Sequence, residues 1–516
     1  MAGTAVAATG PAAAPGPVRT APASLQAAAA SAAAALPGAL PGTTPNADLG
    51  TDRRSGVQPD PAPGTSSAGR ASAAPPAPAP GAAQPAEVLL TGPGQRIYER
   101  TRPLLLQIRT LLKTQDSQSS VGSGFLVGAD GHLITNYHVV SQYALQPERH
   151  RLVYATVDGR QGALELLAFD VVHDLALLRP AEPGAFAGRG ALLLREEAEP
   201  MARGARIYSL GNPLDVGFAV AEGSYNGPVE RGFLPTLFFG GSLSPGMSGG
   251  PALDDQGRLV GVNVAARRDG EQISFLVPAT FTRALLKRGI DASPITTPAW
   301  DEIARQLLGH QAELTARFTA LPWRAAGHPR YRIPVPQEDF MRCWGRGSPQ
   351  AAKGLQFERS DCEMDTRIFV GGGVLTGFVT VRHEAYDGSK LGMLRFAERY
   401  SASFRNERVG RDDRNRTAAR CVERLVDREG LPLKAVVCLR AYKKLPGLHD
   451  LTVLVATLDS RQTGVQGRFD AYGVGFDSAQ TLARHYIDGY AWTDPKTTPT
   501  IKSNSSPSLS SNSASR

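Results

Sequence analysis

Apolar residues between Gly124 and Thr135 fall into two short runs, Gly124–Val127 and His132–Thr135, separated by Ala129-Asp130-Gly131. An Asp-Gly pair between apolar runs is a strong hairpin-turn signal. The pattern recurs at Leu152–Val157, Asp158-Gly159 and Gly162–Leu167, and a further apolar run spans Leu175–Arg179. Upstream, Ile97, Leu104, Leu105, Leu106, Ile108, Leu111 and Leu112 predict a short helix and then a strand feeding the same sheet. After the Gly- and Pro-rich stretch Pro183–Gly190, more strands are expected at Ala205–Leu210, Phe218–Tyr225, Leu234–Phe239, Pro251–Leu253, Leu259–Ala265 and Gln272–Val277. Strands at this spacing, with turns between, argue for antiparallel barrels. A helix should follow over Pro278–Arg288 and stop at Gly289.

From Thr297-Pro298 the period changes. Trp300, Ile303, Ala304, Leu307, Leu308, Leu314 and Phe318 recur near helical spacing, a stripe that reads as core. Strands are expected beyond it at Ile368–Val370, Val374–Arg382, Ala435–Ala441, Leu451–Leu458 and Gly467–Gly475, then a helix over Asp477–Tyr486. This later part reads as an unrecognised α+β domain.

Composition limits how much of the chain folds. Residues 1–90 are mostly Ala, Pro, Gly, Ser and Thr, and Thr497–Arg516 is Ser, Asn, Thr and Pro. Such segments bury too little apolar surface to offset chain entropy and are expected to be disordered. The domains predicted are therefore 1–90 disordered, 91–290 barrels, 291–495 α+β, and 496–516 a disordered tail. The net charge is +8, but the Arg-rich stretch Arg395–Arg428 is interleaved with acids, which argues against a nucleic-acid surface. No run of about 18 strongly apolar residues exists, so no membrane-spanning helix is predicted. The Ala-rich run Leu25–Leu36 is too weakly apolar for a signal peptide and reads as linker.

The four cysteines, Cys343, Cys362, Cys421 and Cys438, lie in the last third of the chain without a CxxC pair, which disfavours zinc. Of the three possible pairings, Cys343–Cys362 and Cys421–Cys438 are expected because each closes a short loop. Disulfides imply an oxidising compartment.

Candidate chemistry centres on Gly241-Ser242-Leu243-Ser244-Pro245-Gly246-Met247-Ser248-Gly249-Gly250-Pro251. Ser248 lies between glycines that let the backbone fold tightly, so that several N–H groups can converge on a developing oxyanion. A serine nucleophile needs a histidine base and an acid to orient it. His138, in Thr135-Asn136-Tyr137-His138-Val139-Val140, and Asp174, in Val172-His173-Asp174-Leu175-Ala176, supply them in the order His, Asp, Ser. Taken alone, His138 could be a core histidine and Asp174 a turn residue. His173 is expected on the outer face of a strand, and Asn212 and Pro213 read as structural.

With Gly122-Ser123-Gly124-Phe125, Gly211-Asn212-Pro213, Leu259-Val260-Gly261-Val262-Asn263 and Ile273-Ser274-Phe275-Leu276-Val277-Pro278, these motifs resemble trypsin-fold serine peptidases of the Deg/HtrA type over about Val121–Arg288. The resemblance implies a mostly β double barrel with the site in the cleft between barrels. It implies His138, Asp174 and Ser248 as triad, and the N–H groups of Gly246, Met247 and Ser248 as oxyanion hole. Met247 stands where the family usually has Asn or Asp. Ser242 and Leu243 would line the substrate pocket. With no acidic residue at Ser242, cleavage after small or medium aliphatic residues is expected. No PDZ domain continues the chain. The implied function is a serine endopeptidase acting on polypeptides through an acyl-enzyme, without cofactor or metal, in the periplasm or secreted. The alternatives are a silent trypsin-fold scaffold, or an envelope binding protein acting through its C-terminal domain. The sequence leaves the oligomeric state open.

Overall fold

The structure, a computed structural model, describes residues 91–493 except 129, 197–198, 267–272 and 350. The segments expected to be disordered, with Ala129 of the first turn and the Gln272 start of the last barrel strand, lie outside the described residues. Helix α1 (Gly92–Thr101) leads into the first barrel. Its strands are β1 (Leu105–Leu112), β2 (Gln118–Leu126), β3 (Leu133–Thr135), β4 (His150–Thr156), β5 (Gln161–Asp170) and β6 (Leu175–Pro180). They close in the order β1-β2-β3-β6-β5-β4, so β1 pairs with both β2 and β4 and no edge is left open. The second barrel contains β7 (Arg206–Gly211), β8 (Ala219–Pro228), β9 (Leu237–Gly240), β10 (Pro251–Leu253), β11 (Leu259–Ala266) and β12 (Ser274–Pro278), closed as β10-β11-β12-β9-β8-β7. Helix α3 (Ala279–Gly289) follows.

Periodicity alone misses one element here. The run after β3 turns into helix α2 (Tyr137–Leu145), which buries Tyr137, Val139, Val140, Ser141, Ala144 and Leu145. No Gly or Pro interrupts this segment. Pro147 ends it, because the residue before a proline is disfavoured in helical geometry. His138 therefore sits in the first turn of a helix that the apolar pattern does not predict.

Helix α4 (Trp300–Ala320) joins the two halves of the protein. Its Ile303, Ala304 and Leu307 belong to a hydrophobic core that fills the first barrel and extends into the second, whereas Leu314 and Phe318 belong to the core of the C-terminal part. Traffic also runs the other way: Phe233, from the loop between β8 and β9, is buried in that C-terminal core.

The C-terminal part is a seven-stranded antiparallel sheet. Its strands lie in the order Met341–Gly347, Gln356–Met364, Phe378–Asp387, Thr463–Val474, His449–Thr457, Leu431–Ala441 and Arg420–Arg428. Helices α4 and α6 (Phe476–Asp488) cover one face. Helix α5 (Met393–Arg405) packs Phe396 and Tyr400 against Tyr386 and Ala456. The expected single strand Val374–Arg382 is two, Val374–Thr376 and Phe378–Asp387. The first pairs with Ile368–Gly371 and the second with the large sheet, and the chain changes partner at Gly377.

Both disulfides are present, Cys343–Cys362 and Cys421–Cys438. In each hairpin the two cysteines are directly opposed across neighbouring strands, with Cα atoms 4.0 Å apart. That is the close spacing of a non-hydrogen-bonded antiparallel pair. The two bridges staple the two edge hairpins of the sheet.

Candidate active site

His138 lies in the first turn of α2. Its backbone N–H donates to Asp174 Oδ1 at 2.8 Å, and its ring Nδ1 lies 2.6 Å from Asp174 Oδ2. One carboxylate thus fixes both the helix end and the ring. Asp174 closes the turn after β5 at φ +56, a left-handed conformation that aspartate tolerates better than most residues. Asn136 Nδ2 holds the Asp174 carbonyl at 2.8 Å. Burial alone would pull the His138 pKa down. The Asp174 charge and hydrogen bond overcome it, leaving the imidazole raised above its ordinary 6.5.

The serine loop has its own local logic. Ser244-Pro245-Gly246-Met247 closes on a hydrogen bond from the Met247 N–H to the Ser244 carbonyl, 3.0 Å, with Gly246 at φ +93. Proline second and a positive-φ glycine third are the requirements of a type II turn. The turn uses the Met247 N–H internally, so Met247 is not available as an oxyanion donor, contrary to the expectation from sequence. The N–H groups of Gly246 and Ser248 have no acceptor among the described residues. Ser248 Oγ donates to the Val264 carbonyl at 3.3 Å. No hydrogen bond joins it to His138 among the described residues.

Two residues outside the loop brace it. Asn263 on β11 donates from Nδ2 to the carbonyls of Leu210 (2.9 Å) and Met247 (3.2 Å), and its Oδ1 accepts from Ser209 Oγ at 2.8 Å. Its backbone exchanges hydrogen bonds with Gly249 and Gly250, both 2.9 Å. Ser123 on β2 donates from its N–H to the Ser248 carbonyl (2.8 Å) and from Oγ to the Gly246 carbonyl (2.7 Å), and accepts from the Asn212 N–H (2.9 Å). Ser123 thus ties the loop of the second barrel to the first. At Gly249, with φ +84, a Cβ would lie 2.3 Å from the Ser123 carbonyl oxygen and 2.4 Å from Thr135 Oγ1. Only glycine lets the barrels approach this closely beside Ser248. Ser123 and Asn263 fall inside motifs that are visible in the sequence, but their bracing role is a property of the tertiary contact and carries no local signal.

His173 departs from expectation. Val171–Asp174 is a turn, not a strand, so strand alternation does not apply. Its ring Nδ1 lies 3.1 Å from Asp170 Oδ2, and the ring stacks on Phe281 at 3.7 Å. Ser242 is exposed, while Leu243 packs on the second barrel's core and donates its N–H to Ser274 Oγ at 3.2 Å. Among the described residues, no group of three or more His, Cys, Asp or Glu converges as metal ligands would. Nor is any helix long and apolar enough to cross a membrane.

Comparison with known proteins points to the same kind of domain. Residues 122–262 match the family model of the trypsin-like peptidase domain, and the chain carries such a domain. It is 27% identical over 170 residues to a probable periplasmic serine endoprotease DegP-like of Halomonas elongata, covering 32% of this chain and 34% of that one. It is 30% identical over 207 residues to the mitochondrial serine protease HTRA2 of Bos taurus (37% and 42% covered). It is 27% identical over 198 residues to the periplasmic pH-dependent serine endoprotease DegQ of Escherichia coli (37% and 40% covered). The chain thus spans well under half the length of these relatives.

Proposed function

We propose that the protein is a serine endopeptidase that hydrolyses polypeptides through an acyl-enzyme, with His138, Asp174 and Ser248 as its triad. The observation that carries this reading is the Asp174 carboxylate, hydrogen-bonded to both the backbone and the ring of His138 beside a serine on a preformed turn. Ser248 Oγ would leave the Val264 carbonyl by rotation about its side chain and donate to His138 Nε2. His138 takes that proton as Oγ attacks the peptide carbonyl, then gives it to the leaving amine. Asp174 keeps the second ring nitrogen protonated and stabilises the imidazolium. The Gly246 and Ser248 N–H groups receive the oxyanion, and losing one such donor typically slows turnover by about 100- to 1000-fold. Ser242 and Leu243 bring no charge to the pocket, which favours small or medium aliphatic residues before the scissile bond. The disulfides favour action outside the cytoplasm.

The orientation of the Ser248 hydroxyl toward Val264 is what a silent scaffold would also present, and one experiment separates the two. A fluorophosphonate should label Ser248, and Ser248→Ala should abolish both labelling and casein cleavage while leaving the fold intact. Absence of labelling and cleavage near neutral pH, with peptides tested as activators, would refute the peptidase reading. A peptide-library digest dominated by cleavage after Arg or Lys would refute the pocket assignment.

A further inference from the structure

The turn that presents Asp174 is held from outside the peptidase domain. Gln306, half-buried on α4, accepts the Val171 N–H on Oε1 at 2.8 Å and donates from Nε2 to the Phe169 carbonyl at 3.0 Å. Its amide engages the chain at the end of β5 as a neighbouring strand would. The orientation of the amide is fixed, because Nε2 also donates to Glu302 Oε1 at 2.7 Å. A carboxylate accepts only, so the nitrogen must face it and the oxygen is left for Val171.

Between the two backbone groups that Gln306 holds lies Asp170. Its Oδ1 accepts the N–H groups of Val172 (3.1 Å) and His173 (3.0 Å), and Arg288 of α3 lies 3.2 Å from Oδ2. These bonds shape the turn that delivers Asp174 at φ +56 to His138. The path from α4 to the His138 ring is therefore continuous: Gln306, the Phe169–Val171 backbone, the Asp170 turn, Asp174, His138. The charged and titratable groups around Gln306 at this seam are Glu302, Arg305, His310 and Glu313 on its own helix, and Asp170, His173 and Arg288 across it.

We propose that Gln306 is a positioning residue for the catalytic aspartate, through which the C-terminal part of the chain sets the competence of the peptidase site. This rests on the triad reading above. Helix α4 carries out both tasks with one rigid body. Its Leu314 and Phe318 sit in the C-terminal core, and Gln306, just over two turns earlier, grips the Asp174 turn. Displacement of the C-terminal core would be felt at His138 through that lever.

The test uses the full chain carrying Gln306→Met, which keeps side-chain length and helix propensity and removes both hydrogen bonds to the Phe169–Val171 backbone together with the one to Glu302. Two readouts are needed. Imidazole NMR of His138 should show its pKa moving down from the wild-type value and its Nδ1 proton signal broadening. Fluorophosphonate labelling of Ser248 should slow by about 10- to 100-fold, as small misplacements of catalytic groups do, with the KM for peptides unchanged. Gln306→Glu keeps the acceptor but places a second carboxylate beside Glu302, and should also be impaired. If Gln306→Met folds normally and leaves the His138 titration and Nδ1 signal as in wild type, the proposal is wrong. If it loses stability yet leaves the His138 signals unchanged, Gln306 is structural only and the proposal is again wrong. Because the NMR readout needs no activity, an unlabelled wild type would count against the peptidase reading without removing this test.

Discussion

Replacing Asp174 by Asn is the sharpest perturbation of the site. Asparagine matches aspartate in shape and accepts the left-handed φ of +56 at least as readily, so the turn should survive. What changes is hydrogen-bond polarity. Asp174 accepts from both the His138 N–H and the His138 ring, at 2.8 and 2.6 Å. An amide has only one oxygen. If that oxygen keeps the backbone N–H, the NH2 group faces Nδ1 and forces the ring proton onto Nε2, the nitrogen that must receive the serine proton. Wrong-tautomer variants of such triads lose on the order of 10⁴-fold in kcat, which is about 5.4 kcal/mol of barrier at 1.36 kcal/mol per factor of ten. The pH profile gives a second check. Wild-type activity needs neutral His138 and should rise with pH through a value above 6.5. In Asp174→Asn the charge and its hydrogen bond are gone and burial remains, so the residual acid limb should move below 6.5. Stability runs the opposite way. The raised wild-type pKa contributes stability that is fully present below 6.5 and is lost as pH rises through the folded-state value. The assay is fluorophosphonate labelling rate against pH, with urea unfolding on the same protein. A loss below tenfold, or an acid limb that stays above 6.5, would refute the reasoning.

Reducing either disulfide should lower stability by about 3 kcal/mol, given loop closures of 19 and 17 residues; urea midpoints with and without reductant would measure this, and equal midpoints would contradict it. Gly249→Ala combines an unfavourable positive φ with overlap against the Ser123 carbonyl. It should destabilise by more than about 2 kcal/mol, readable as a fall in thermal midpoint alongside loss of Ser248 labelling; a variant of wild-type stability would show that the barrels can separate here at little cost.

The legible parts of this protein are those where one chemical need dominates a short window. Barrel hairpins announce themselves because each Asp-Gly turn is flanked by strands with buried apolar faces. The serine loop does so because a type II turn demands Pro245 and Gly246 in order. Helix α2 is obscured because it is short and most of it is buried, with only Gln142 exposed, so no polar face marks the 3.6 period. The strand Arg420–Arg428 is obscured for the opposite reason. It lies at the sheet edge and is exposed along most of its length, so Glu423, Arg424, Asp427 and Arg428 erase the alternation that marks a half-buried strand. Helix α5 places Phe396, Tyr400 and Phe404 at helical spacing on one packed face, so its signal is present in the sequence although the strand-centred reading passes over it. Gln306 is invisible for a third reason: its role lies in contacts with residues more than 130 positions away.

The same separation between local and tertiary information explains Met247. At the position before Ser248, the proposed nucleophile, the resemblance to Deg/HtrA peptidases leads one to expect Asn or Asp, a side chain able to hydrogen-bond. Here that side chain is apolar and 3% exposed. A polar group there would need partners, and leaving one unpaired costs roughly 1–3 kcal/mol. The nearby Asn263 amide is already engaged, its Nδ2 donating to two carbonyls and its Oδ1 accepting from Ser209. What a polar residue at 247 would do for the loop, Asn263 does from β11 and Ser123 does from the first barrel. Between them they hold the carbonyls of Gly246, Met247 and Ser248. Three successive carbonyls fixed from behind hold in place the Gly246 and Ser248 N–H groups, which have no acceptor among the described residues and are the donors proposed for the oxyanion. That is the condition under which an oxyanion site contributes most to rate. In this chain the loop depends on the junction of the two barrels, and the residue before Ser248 is left free to pack.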